Sequence, residues 1–332
     1  PMISHRSKSA SCLQQSISKN MQILWNTKNS ILLSTSSGSG LMEAAVKSLI
    51  LKKGVFFSLG AFGKRWYEMA IANGKEADIY EVEEGYSNKA EFIDSILKKG
   101  CYDFAAITHN ETSTGVENPL IDISNVMKKY SDIIFAVDTV SSTGGVDIDV
   151  DSCKIDFCVT STQKCLGLPP GLSICSISDK AINRTKYVEN RGYYLDLLTL
   201  YEYTINKDHQ YPATPSLSHM YALDYKLNKI INIEKKENRF QRHKLLADIT
   251  RDWARDRYKL LVKDNNYSDT VTAVVNSRET DLKMLSSKLK DQGYVFSNGY
   301  GKLKDKTFRI AHMADTTIEE LKAYLETIDK LI

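Results

Sequence analysis

Asp138 closes the apolar run Ile133-Ile134-Phe135-Ala136-Val137, and Lys164 follows a second run, Asp156-Phe157-Cys158-Val159-Thr160, in the stretch Ser161-Thr162-Gln163-Lys164. Each run reads as a buried strand, so an acid and an amine stand just past two strand tips, 26 residues apart (164 − 138). Taken singly, the aspartate reads as a turn or cap and the lysine as a surface residue. As a pair they have defined chemistry. A desolvated lysine is easily deprotonated and attacks carbonyls, while a carboxylate at the same site can hold a ring nitrogen protonated.

A third part lies upstream. Ser36-Ser37-Gly38-Ser39-Gly40 opens a helical pattern, so bare N–H groups and hydroxyls gather at the positive end of a helix dipole, where an anion binds. The glycine spacing fits neither the dinucleotide nor the P-loop fingerprint, which argues against a nucleotide-binding protein. An amine, an acid and an anion cradle are what pyridoxal 5′-phosphate (PLP) chemistry requires.

The elements that must position these groups alternate. Helical spacing over Ser39–Lys52 stops at Gly54, and Val55–Leu59 reads as a strand followed by a helix through Trp66 and Ala70. Strand patterns over 77–82, 104–108, 133–137, 156–160 and 172–177 are separated by helical ones over 89–99 and 122–129. Such alternation predicts βαβ units and a mainly parallel sheet, with ligands at the carboxyl ends of its strands. His109–Thr114, Asp138 and Ser161–Lys164 all fall there. From residue 235 the texture changes to a long polar helix (234–257), shorter strands near 271–275 and 308–310, and helices over 281–292 and 317–331. The expected organisation is a large α/β domain over 1–235 and a small α+β domain over 236–332.

Composition bounds the rest. At 332 residues, 42% hydrophobic and 26% charged, the chain can bury a full core. A net charge of +3 with scattered lysines argues against a dedicated nucleic-acid surface. No run of 18 apolar residues suggests a membrane span. Six cysteines without C-x-x-C or zinc-ligand spacing read as free thiols, so a cytoplasmic protein without a bound metal is expected.

Five segments, in order, carry a resemblance: 37–45 (SGSGLMEAA), 109–116 (HNETSTGV), 137–145 (VDTVSSTGG), 161–164 (STQK) and 308–313 (FRIAHM). Together they resemble the class V aminotransferases of PLP fold type I, closest to the alanine–glyoxylate and serine–glyoxylate branch. The resemblance implies that Ser37, Gly38, Ser39 and Gln163 hold the cofactor phosphate. Phe62 would stack on its ring, Ser113 would sit near the phenolic oxygen, and Asp138 would pair with the ring nitrogen. Lys164 would be both Schiff-base residue and proton shuttle, and Arg309 would bind the substrate α-carboxylate. Tyr211 and Thr214 match a segment that reaches a neighbouring subunit's phosphate, which implies a homodimer with shared active sites. Ser36 and Ala314 stand where many family members have glycine. Family members also carry a Pro-Gly-Pro segment upstream of the stretch matching residues 1–7; the sequence lacks it, and an N-terminal segment is expected to be missing.

The implied reaction is ping-pong transfer of an amino group from a small amino acid, alanine or serine, to a 2-oxo acid, glyoxylate or pyruvate. One rival is a 2-aminoethylphosphonate–pyruvate aminotransferase, which would need additional cationic groups. Another is a cysteine desulfurase, which would need a cysteine on a mobile loop; Cys165 is expected to point away. A fold relative that binds without catalysing is of a different class, and the joint presence of Lys164, Asp138 and Arg309 weighs against it.

Overall fold

The computed structural model describes residues 3–332. The chain begins with α1 (Lys8–Leu24), β1 (Ser30–Ser34), α2 (Gly38–Leu49), β2 (Lys53–Ser58), α3 (Ala61–Ala72), β3 (Glu76–Glu81) and α4 (Ala90–Leu97). It continues through β4 (Phe104–Thr108), a short hairpin of β5 (Asn110–Glu111) and β6 (Val116–Glu117), α5 (Leu120–Met127), β7 (Ile134–Asp138), β8 (Phe157–Ser161) and β9 (Ser173–Ile177). Then come α6 (Asp179–Thr185), α7 (Leu197–Asn206), α8 (Leu217–Asn228), a π-helical segment over 229–234 and α9 (Lys236–Arg257). The chain closes with β10 (Lys259–Leu260), β11 (Val271–Val275), α10 (Leu282–Asp291), β12 (Ser297–Asn298), β13 (Thr307–Ala311) and α11 (Ile318–Leu331).

The main sheet has seven strands in the order β1-β9-β8-β7-β4-β2-β3. The pairs β2–β3, β2–β4, β4–β7 and β7–β8 are parallel, while β9 runs antiparallel to both β8 and β1. Six strands therefore share one direction and β9 alone opposes it. The pleat explains the two cores. Ala105, Ile107, Phe135 and Val137 face one hydrophobic cluster, and Phe104, Ala106, Ile134 and Ala136 the other, as period-2 alternation requires of a sheet covered on both sides.

A third cluster joins α9, α10 and α11 to an antiparallel sheet of order β10-β11-β13-β12, with Trp253, Phe308 and Leu325 inside it. Helix ends follow local chemistry. Ser7 caps α1 by accepting from Ala10 N–H at 3.3 Å, and Thr317 with Glu320 forms a capping box on α11. Among the described residues no helix is long and apolar enough to cross a membrane.

Candidate active site

The carboxyl ends of β4, β7 and β8 converge with the first turns of α2 and α3 around a cavity of about 180 Å³. Seven of the sequence-predicted residues line it: Ser37, Gly38, Ser39, Phe62, Asp138, Gln163 and Lys164. Arg65, Asn110, Thr112, Ser141 and Ser161 also line it and were not singled out from the sequence.

Asp138 is the last residue of β7 and 4% exposed. Its Oδ1 accepts from the Val140 N–H at 2.8 Å, and Oδ2 has no partner among the described residues. Burial pushes its carboxyl up to about 7; the Val140 bond opposes this and Glu111 adds to it. A cation placed against Oδ2 would offset that cost, and a protonated ring nitrogen is such a cation.

Lys164 lies three residues beyond β8. Burial lowers its ammonium from the ordinary lysine value, and the nearby Arg309 guanidinium lowers it further. An amine so placed is available as a nucleophile nearer to neutral pH.

At the other end of the cavity, the Ser37 side chain makes no cap bond to α2. A Cβ added at Gly38 would lie 2.8 Å from Val140 Cγ2, so only glycine lets backbone N–H groups face the cavity there. Three buried polar atoms of the cavity lining have no hydrogen-bond partner among the described residues, Asn110 Oδ1, Ser161 Oγ and Gln163 Oε1. Buried groups of this kind are normally satisfied, and a phosphate at the start of α2 would satisfy the hydroxyl. The residues present fit the cofactor.

The hairpin after β4 sorts its side chains by alternation. Asn110 and Thr112 face the cavity. Glu111 and Ser113 face the start of α3: Ser113 donates from both its N–H (3.0 Å) and its hydroxyl (2.6 Å) to Glu111 Oε1, and its Oγ accepts from Ala61 N–H at 3.2 Å. The Ser113 hydroxyl is thus bonded to Glu111, and Thr112, whose hydroxyl pairs with Ser141 Oγ, is the hydroxyl residue of the hairpin that lines the cavity. Phe62 lines the cavity, with the Tyr300 ring stacked on it at 5.4 Å between centroids.

Arg309, on β13, is half-buried at the rim of the cavity and outside its lining. Its Nε donates to Asn298 O at 3.1 Å and Nη1 to Thr112 O at 3.2 Å, leaving Nη2 without a partner among the described residues.

The remaining sequence-predicted residues lie elsewhere. Tyr211 is 5% exposed, and its hydroxyl donates to Gln14 Oε1 of α1 in the same chain. Thr214 is exposed, outside the cavity. Ser36 does not narrow the site: its hydroxyl is held by Ser34 Oγ (3.0 Å) and Ser173 Oγ (2.9 Å) at the strand tips. Ala314 has φ +62°, a left-handed conformation that glycine adopts more readily. The Cys165 thiol is buried, donates to Ser141 O at 3.2 Å and is pushed by burial up to about 12, which leaves it no nucleophilic role.

A larger cleft, about 540 Å³, opens at the opposite end of the sheet beside Lys154, Asp156 and Lys180. There Lys180 Nζ donates to Asp156 Oδ2 and to Ile133 O, both at 2.7 Å. Among the described residues no cluster of metal-ligating side chains occurs.

A desolvated lysine and a buried aspartate past two neighbouring strand tips, facing a glycine-opened helix start, define an enzyme of PLP fold type I. The family model for class V aminotransferases matches residues 2–321, and the chain belongs to that family, as an aminotransferase with PLP as cofactor. It is 36% identical over 336 residues to an uncharacterized aminotransferase of Methanocaldococcus jannaschii, covering 99% of this chain and 86% of the relative. An L-aspartate–glyoxylate aminotransferase of Paracoccus denitrificans is 29% identical, covering 96% and 82%. The crystal structure of an alanine–glyoxylate aminotransferase from Nostoc superposes with a TM-score of 0.93 at 25% identity, covering 100% of this chain and 89% of that one.

Proposed function

We propose that the enzyme moves an amino group reversibly from a small amino acid of the alanine or serine type to glyoxylate or pyruvate, in two half-reactions at one site. The observation that supports this most is the meeting of Lys164 and Asp138 at one cavity, with Arg309 at its rim. When bound, PLP supplies the electron sink that stabilises negative charge at the donor Cα.

Ser37, Gly38, Ser39 and Gln163 would hold the phosphate, Phe62 would stack on the ring, and Thr112 takes the place first given to Ser113 near the phenolic oxygen. Asp138 would hold the ring nitrogen in its protonated form. Lys164 would anchor the cofactor, and its amine, when free, would accept and move the proton of the donor Cα. Arg309 would grip the α-carboxylate with its guanidinium, whose Nη2 is without a partner among the described residues, and so orient the Cα–H bond towards Lys164.

The same proposal includes a homodimer, a domain division near residue 235 and a cytoplasmic location. The division is supported by the separate core of the C-terminal sheet, and the location by six free cysteines. With Tyr211 turned inward, the exposed Thr214 is the residue of its segment left to reach a neighbouring subunit.

The test is a half-reaction. The PLP-loaded enzyme, mixed with alanine or serine and no oxo acid, should release about one equivalent of pyruvate or hydroxypyruvate per site and stop. Added glyoxylate should restart it. Release of no oxo acid from any amino donor would end the proposal.

A further inference from the structure

Arg65 sits on α3, one turn beyond Phe62, and lines the cavity. Its Nη1 donates to Ser39 Oγ at 3.2 Å, in the first turn of α2, and its guanidinium carbon stands 4.8 Å over the Phe62 ring. Nη2 reaches Tyr300 Oη at 3.5 Å. None of these partners carries a negative charge.

That is unusual within this chain. Arg184, Arg191, Arg239, Arg242, Arg251, Arg255 and Arg257 each form an ion pair, and Arg6 and Arg278 are exposed. The two half-buried arginines without a carboxylate partner among the described residues are Arg65 and Arg309, and both belong to this one site. A partly desolvated guanidinium is costly without an anion, so each marks a place where an anionic ligand completes the structure. Arg309 already has one in the donor carboxylate.

We propose that Arg65 is the counter-cation of the cofactor phosphate, an inference that rests on the aminotransferase reading. Three features meet at that end of the cavity. Arg65 holds Ser39, the unpartnered Ser161 hydroxyl lies beside Gly38, and the first N–H groups of α2 point the same way. A phosphate dianion seated there would take charge-assisted hydrogen bonds from the guanidinium as well as dipolar ones from the helix start. Tyr300 braces the arginine from the opposite side. Arg65 thus binds rather than reacts, and its effect should fall on cofactor retention.

The experiment titrates the apoenzyme with PLP and, separately, with pyridoxal, which has the same ring and aldehyde but no phosphate, followed by visible absorbance. Arg65→Gln should weaken PLP binding by roughly 10- to 100-fold, the range of one or two lost charge-assisted bonds. Pyridoxal binding should change less than about twofold, a small fraction of one such bond. Arg65→Lys, which restores the charge, should recover a large part of the PLP affinity and covers the case in which the glutamine variant does not fold. Equal weakening of both ligands would overturn the proposal, because it would make Arg65 a support for Phe62. Unchanged PLP affinity with a raised KM for an acidic donor would also overturn it, by assigning Arg65 to a second anionic group of the substrate. If the wild-type apoenzyme bound neither ligand, the aminotransferase reading itself would fall.

Discussion

Glu111 Oε2 accepts from the backbone N–H groups of both Phe62 and Gly63, each at 3.0 Å. The carboxylate caps the start of α3 and fixes the Phe62 ring at the cavity wall. Burial raises its carboxyl above the ordinary glutamate range, and the bonds from Ser113, Gly63 and Phe62 pull it back. Glu111→Gln puts an NH₂ group against N–H donors, since every contact of this carboxylate is with a donor. The variant should lose about 1–3 kcal/mol of stability in urea unfolding, the cost of a spoiled buried hydrogen-bond set. A change within about 0.5 kcal/mol, ordinary for a surface substitution, would mean that the cap contributes nothing.

Asp138 predicts a pH dependence of the cofactor-free protein. Its carboxyl is raised from 3.8 to about 7 on folding, so between those values the native state binds more proton than the unfolded one. Stability therefore falls as pH rises through that window. At 1.36 kcal/mol per pH unit the upper bound is about 4 kcal/mol. Asp138→Asn should abolish this slope and leave the apo-protein more stable than wild type at pH 8, though unable to turn over. Parallel slopes for the two proteins would contradict the assignment.

Arg309 can be split into fork and charge. Arg309→Lys keeps the charge beside Lys164 but loses the planar guanidinium and its Nη2 donor. It should raise the donor KM by about 10- to 100-fold, at 1.4 kcal/mol per tenfold, and change kcat less. Arg309→Ala removes the charge that helps lower the Lys164 ammonium. That should also move cofactor attachment, followed spectroscopically, to more alkaline pH. An unaltered donor KM in both variants would remove Arg309 from substrate binding.

Ala314 holds φ +62° with a side chain that resists it. Ala314→Gly should relieve about 1–2 kcal/mol of left-handed strain against about 0.5–1 kcal/mol of added chain entropy. The net effect should be a small gain in the thermal unfolding midpoint. A loss would show that the methyl group packs usefully beside Gly167.

Residues with regular periodicity were readable from the sequence. The strands ending at Asp138 and Ser161, the helix opened by Gly38 and the C-terminal helices fall within a few residues of their expected places. α1 was not, because it buries Ser11, Gln14, Ser18 and Asn20 among its apolar residues and so blurs the amphipathic pattern. Missing α1 also hid the fate of Tyr211, whose partner Gln14 lies on it. Which of Thr112 and Ser113 lines the cavity was not readable, because the hairpin is too short to show the phase of its alternation. Glu111 lay inside the 109–116 segment and Arg65 inside the helix expected through Trp66, but their roles depend on contacts between α3, α2 and the hairpin that no local spacing reveals.

The account stands on Lys164 as the residue that carries the cofactor. The direct measurement is borohydride reduction of the PLP-loaded enzyme, followed by proteolysis and mass spectrometry, with Lys164→Ala alongside. The expected result is one reduced pyridoxyl adduct per chain on the peptide containing Lys164, lost in the variant together with the visible band of the bound cofactor. An adduct on another lysine, or one that persists unchanged in Lys164→Ala, would contradict the account at its centre.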